Sequence, residues 1–344
     1  MSDEPKTPQQ APVNLPKISP ARRIGIGLAV VALPVAAAVG LWEFKQRDDA
    51  SNDELERGYK YDDAAMRQID PTLIGYAQVA QIQTGMQKPT CISLGTDGKL
   101  YVAGKELVKV LDLTGKELRS FAITGEATAV AADASGRVYV GLRDHVEVFS
   151  ADGTRTATWS SLGPTSHISS IALSKDRVYV ADSGQRFGRA LVYALDGSSA
   201  GEIGKADQKA GIPGIITPSS HMDVAVAADG NIWVANPGRH QLELYTPTGE
   251  LLRSFGQSGN AIDQFLGCCN PSDFALLSDG RIVTAEKGVP RVKVFKDDGH
   301  FQNVVATPDS FGDNRAGLDL AADPAGRILI LEPGTTTIRV FAAK

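Results

Sequence analysis

Short stretches of alternating apolar and polar residues recur along this chain, and each follows the same turn signal. The signal is a turn with Asp, Gly or both, then a basic or amide residue, then an apolar run. It reads Asp97-Gly-Lys-Leu-Tyr-Val, Ser135-Gly-Arg-Val-Tyr-Val, Lys175-Asp-Arg-Val-Tyr-Val, Asp229-Gly-Asn-Ile-Trp-Val, Asp279-Gly-Arg-Ile-Val-Thr and Ala325-Gly-Arg-Ile-Leu-Ile. The residues after the turn are Lys99, Arg137, Arg177, Asn231, Arg281 and Arg327, at spacings of 38, 40, 54, 50 and 46. That period is the length of one four-stranded propeller blade. Within the fourth repeat the pattern predicts strands over 222–228, 231–235, 241–246 and 251–255. The turn Thr246-Pro-Thr-Gly249 joins the last two, with Gly supplying the positive φ a hairpin needs. The last repeat ends at its third strand, 337–341. The strand 76–82 supplies the missing fourth, which closes the ring and removes an exposed edge. The sequence therefore predicts an all-β, six-bladed β-propeller over 72–344.

The chain before the repeats is different. Residues 1–23 are rich in Pro, Gln and Lys and read as a disordered tail. Residues 24–42 carry no charge and as a helix would span about 28 Å, close to a bilayer core. They read as a single transmembrane helix or a signal segment. Arg22 and Arg23 before the span favour the large domain on the extracytoplasmic, periplasmic side, although basic residues also follow it. Residues 43–71 are a charged stalk. Net charge is −5 over 344 residues, which argues against a nucleic-acid partner. Three cysteines are too few for a disulfide scaffold.

The repeats resemble the NHL-repeat family, most closely at Val178-Tyr-Val-Ala-Asp182 and Ile232-Trp-Val-Ala-Asn236. Four further motifs resemble a group of bacterial NHL-repeat proteins that are exported or membrane-anchored. These are Pro218-Ser-Ser-His-Met-Asp223, Asn236-Pro-Gly-Arg-His240, Gly267-Cys-Cys-Asn-Pro271, and Ala285-Glu-Lys-Gly288 with Arg291-Val-Lys-Val-Phe295. The resemblance implies a fold and no specific activity.

With the four strands of each repeat lettered a to d from the innermost outward, antiparallel neighbours place the a–b and c–d turns on one face and the b–c loops and d–a links on the other. All four motifs therefore gather on the second face, over the fourth and fifth repeats. The residues expected to meet a protein partner there are His221, Asn236, Arg239, His240, Asn270, Glu286, Lys287 and Arg291. The competing reading is ordinary turn chemistry. Cys268-Cys269 is either a buried small pair, a vicinal disulfide, or a pair of soft ligands for a transition metal. Counting back from the turn aligns Cys91, Ala129, Ser170, Asp223, Asp273 and Asp319 on the innermost strands. Asp223, Asp273 and Asp319 could hold a divalent cation such as calcium in the channel, or could instead cap backbone N–H groups.

No phosphate loop or His-Glu-x-x-His occurs, so enzyme status is open. The expected function is a membrane-anchored propeller that binds a protein partner, within an envelope or redox assembly. The alternatives are a metal-dependent channel-site enzyme of lactonase or lyase type, and a thiol or metal electron-transfer module at Cys268-Cys269.

Overall fold

Antiparallel sheets stand around a central channel. The computed structural model describes residues 66–344, apart from 185–186, 208, 210–212 and 313–315. Sheet I joins Tyr76–Gln83, Thr337–Ala343, Ile328–Leu331 and Asp319–Ala322 in that spatial order. Sheet II has six strands, Pro89–Leu94, Leu100–Leu111, Glu117–Ala132, Val138–Leu142, His145–Phe149 and Arg155–Thr158. Sheet III runs from Ile168–Leu173 through Arg177–Asp182 and Phe187–Ala194 to Ser199–Ile203, with Ile215–Ile216 also paired to its third strand. Sheet IV contains Val224–Val226, Ile232–Asn236, Gln241–Tyr245 and Leu251–Phe255. Sheet V contains Asp273–Leu276, Ile282–Ala285, Val292–Phe295 and Phe301–Ala306.

The described strands thus form five sheets, which corrects the expectation of six blades. The cause lies in Glu117–Ala132, a 16-residue strand that pairs Leu107 with Ala122 on one side and Ala127 with Leu142 on the other. No proline or positive-φ residue breaks it at the expected link, so hydrogen bonding continues from the first repeat into the second. Leu100–Leu111 is likewise one strand through its expected b–c loop, bulging near Glu106 at φ 59. A second correction concerns the membrane. The expected span 24–42 lies outside the described residues, and among the described residues no helix is long and apolar enough to cross a membrane. A single-pass anchor, and the location inferred from it, therefore have no structural support.

The recurrent turns are built by local chemistry. Asp229 accepts the Asn231 N–H at 3.0 Å, and the amide of Asn231 donates to the same carboxylate at 2.8 Å. Gly230 sits between them at φ +86, where an L side chain is strained. Asp97 and Asp279 repeat the arrangement with the backbone of Lys99 and Arg281, whereas Asp323 reaches the Arg327 N–H four residues on. After each turn the chain enters the middle of a sheet. There Leu100, Tyr101, Val102 and Ala103 are all fully buried, because neighbouring sheets cover both faces. The apolar clusters lie between sheets. Val283 and Val292 of sheet V meet Leu320 and Ile328 of sheet I, and Trp233 and Leu242 of sheet IV meet Phe274 and Ile282 of sheet V. Tyr76–Gln83 pairs antiparallel with the C-terminal strand, with Ile82 opposite Ile338, so both ends of the ring share sheet I.

Candidate functional site

The channel is lined by the residues that the turn alignment groups together. Cys91, Ala129, Ser170, Asp223, Asp273 and Asp319 all border one cavity of about 230 Å³ that opens toward the a–b turns. Asp273 and Asp319 also border a second cavity of about 350 Å³ toward the d–a links, with His167, His221, Ser169 and Ser272. The aspartates act between neighbouring strands. Asp223 accepts the Phe274 N–H at 2.8 Å, Asp273 accepts the Leu320 N–H at 3.2 Å, and Asp319 accepts the Ile92 N–H. Ser170 does the same for Val224 at 3.4 Å. Each residue thus ties its strand to the next one around the axis.

Burial changes their acidity. It pushes the Asp223 carboxyl up to about 6. Asp273 and Asp319 are held well above the usual carboxylate range, first by burial and then by the neighbouring aspartates. Burial, and then Asp319, raises the Cys91 thiol as well. Among the described residues no group of three or more His, Cys, Asp or Glu side chains is arranged to hold a metal ion. Cys268 and Cys269 are not among the residues lining either cavity, so the candidate metal residues fall into two separate places. At the channel mouth, His221 has its Nδ1 buried with no hydrogen-bond partner among the described residues. Burial, then Lys287 and His167, lowers its pKa to about 4.

The loop face is built differently from the sequence expectation. Asn236 is fully buried and clamps a loop, accepting the Ile216 N–H at 2.9 Å and donating to the Gly214 carbonyl at 3.1 Å and Glu243 at 2.9 Å. Glu286 is also fully buried. It receives Arg291, Lys293 at 3.1 Å and the Leu266 N–H at 3.0 Å. Arg291 and Lys293 in turn donate to the Gln264 carbonyl at 3.2 and 2.8 Å. Burial lowers the Lys293 ammonium to about 8 against the opposing pull of Glu286. Asn236, Glu286 and Arg291 are buried and hold loops in place. Arg239 is half-buried and pairs with Gln241 at 3.1 Å and Glu243 at 3.6 Å.

The clamps converge on the cysteine pair. His240 bonds through Nε2 to the Gly267 carbonyl at 2.7 Å. Asn270 donates to the Leu266 carbonyl at 2.6 Å and the Lys287 carbonyl at 3.1 Å, and accepts the Lys287 N–H at 2.9 Å. Between these anchors the Cys268 and Cys269 sulfurs lie 3.3 Å apart, both reduced. Cys268 is exposed and Cys269 is buried. Burial pushes the Cys269 thiol up, but the hydrogen bond from Cys268 and the nearby Lys287 charge outweigh it and the net direction is down. The hydrogen bond to Cys269 raises Cys268. Three of the four sequence motifs, those at 236–240, 267–271 and 285–288, are therefore joined at one place. Lys293 and Gln264 were missed. Lys293 carried a readable signal, a lone charge inside the apolar run Val292-Lys-Val-Phe295.

No protein-family model matches the chain, and no curated protein matches it. Solved structures do. A streptogramin B lyase structure aligns with TM-score 0.54 at 13% identity, covering 78% of this chain and 98% of that one. The WD40 β-propeller domain of Doa1 aligns with TM-score 0.51 at 12% identity, covering 78% and 98%. A catalytically inactive virginiamycin B lyase from Staphylococcus aureus with quinupristin aligns with TM-score 0.52 at 13% identity, covering 76% and 82%. At such identities the likeness speaks for the fold alone, which is that of a β-propeller.

Proposed function

We propose that this is a propeller of NHL type that binds a protein partner through the face bearing its d–a links and b–c loops. One observation carries the reading. The loops of that face are fixed from beneath by buried polar clamps at Asn236, Asn270 and Glu286. Rigid loops lose little entropy when they bind, and a scaffold that holds them still suits recognition. Arg239, His240, Lys287 and the exposed Cys268 are presented above the clamps.

The test compares two charge-altered full-length chains in cross-linking experiments. Arg239→Gln with Lys287→Glu alters the loop face, while Lys116→Glu with Lys296→Glu alters exposed lysines near the opposite c–d turns. A stoichiometric cross-linked partner, lost in the first variant and kept in the second, supports the reading. Equal cross-linking in both variants, or none in the wild type, refutes it.

A second reading, a channel-site enzyme of lactonase or lyase type, is favoured by the buried Nδ1 of His221, which has no partner among the described residues, beside the 350 Å³ cavity. A polar ligand donating a proton would satisfy that atom. Turnover of a lactone or cyclic-ester probe that disappears in His221→Gln would favour this reading, and absence of turnover would discard it.

A further inference from the structure

We propose that Cys268 and Cys269 form a two-electron thiol–disulfide couple for low-molecular-weight disulfides, with Cys268 the entry thiol and Cys269 the resolving thiol. The inference does not depend on a protein partner. It rests first on distance. The two sulfurs are already in contact at 3.3 Å, and bond formation at about 2.05 Å requires only about 1 Å of approach. It rests second on access, because Cys268 is exposed whereas Cys269 is 7% exposed. It rests third on construction. Gly267 is held by His240, Leu266 by Glu286 and Asn270, and Asn270 also grips both polar backbone atoms of Lys287. The fold sets the sulfur positions on both sides, which a surface loop with incidental cysteines would not need. The charge of Lys287, whose backbone Asn270 grips, favours the Cys269 thiolate. A sulfur so placed is held as a nucleophile next to the atom it must attack.

The exchange balances without a further reactant. The Cys268 sulfur attacks one sulfur of the external disulfide, forming a mixed disulfide and releasing one thiolate. That thiolate takes the proton Cys268 gives up. The Cys269 sulfur then attacks the Cys268 sulfur, closing the bond between the two cysteines and expelling the second thiolate, which takes the Cys269 proton. Two protein thiols are oxidised and one external disulfide is reduced to two thiols. Excess thiol drives the same steps backward.

The experiment uses the full chain in glutathione buffers ranging from mostly reduced to mostly oxidised. Samples are quenched with iodoacetamide and read by intact mass and peptide mapping. The wild-type peptide bearing the pair should pass from two blocked thiols to none, retaining no glutathione. Cys269→Ser should accumulate one glutathione on Cys268. Cys268→Ser should gain glutathione on Cys269 at least tenfold more slowly, because that sulfur is covered. Cys91, 2% exposed, should be blocked only after denaturation and so reports that each variant is folded. The proposal is overturned if the wild-type pair stays as thiols across the whole range. It is equally overturned if wild type retains the adduct on Cys268, or if the two Ser variants react at the same rate.

Discussion

Replacing Asp223 with Ser should make the protein more stable at pH 8 and less stable at pH 4. Asp223 is 7% exposed, and burial raises its carboxyl from an ordinary 3.8 to about 6. A raised pKa means that the folded state holds the proton more tightly than the unfolded chain. Below pH 3.8 both states are protonated and the carboxyl has no effect on the balance. Between 3.8 and about 6 the unfolded chain ionises while the folded one does not, and stability falls. Above about 6 the loss is complete. At about 1.4 kcal/mol per pH unit, that interval is worth on the order of 3 kcal/mol.

Ser is the appropriate replacement because the fold already uses it. Ser170 occupies the aligned position on the preceding innermost strand and accepts the Val224 N–H as Asp223 accepts the Phe274 N–H. Asn would fail, since the two Asp223 oxygens accept from Val224 and Phe274 separately, and an amide nitrogen can accept from neither. Ser keeps one of the two bonds, so the variant should lose about 1 kcal/mol at pH 4. At pH 8, relief of the ionisation cost should leave it about 2 kcal/mol more stable than wild type. The assay is chemical denaturation of both full-length chains at intervals from pH 4 to pH 8. Profiles that cross between pH 4 and 6 uphold the reasoning. Parallel profiles, or a variant still weaker at pH 8, would show that the Asp223 carboxyl is ionised in the fold without penalty.

Glu286→Gln leaves Arg291 and Lys293 buried without their countercharge and should cost about 3–5 kcal/mol in denaturant unfolding. Asn270→Ala removes three hydrogen bonds, one buried and two part-buried, and should cost about 3 kcal/mol. It should also speed iodoacetamide labelling of Cys269 at temperatures where the protein stays folded. Gly184→Ala places a methyl 2.0 Å from the Thr165 carbonyl and 2.4 Å from the His167 nitrogen, both backbone atoms that cannot swing away. A loss of about 1–3 kcal/mol is expected by thermal unfolding, together with a shift in the His167 imidazole signals.

The turns and strands of this propeller are local events, and they were legible. Asp229, Gly230 and Asn231 close their turn with bonds spanning two residues, so no distant partner is needed to recognise it. The same local register aligned Asp223, Asp273 and Asp319, because a fixed number of strand residues separates each from its turn and side chains alternate along the strand. The number of sheets was not local. Whether Glu117–Ala132 breaks into two strands depends on partners at both of its ends, Leu100–Leu111 and Val138–Leu142, and only assembly decides that. The direction of a polar side chain on a loop was not local either. Asn236 and Glu286 look like surface turn residues in sequence, yet they point inward. The backbone groups of Ile216 and Leu266, about 20 residues away, would otherwise be buried unpaired. The bonds of His240 to Gly267 and of Asn270 to Lys287 likewise join three separate loops. Hydrogen bonds within a few residues can be read from the order of the chain, whereas those that hold one loop against another exist only once the sheets have packed.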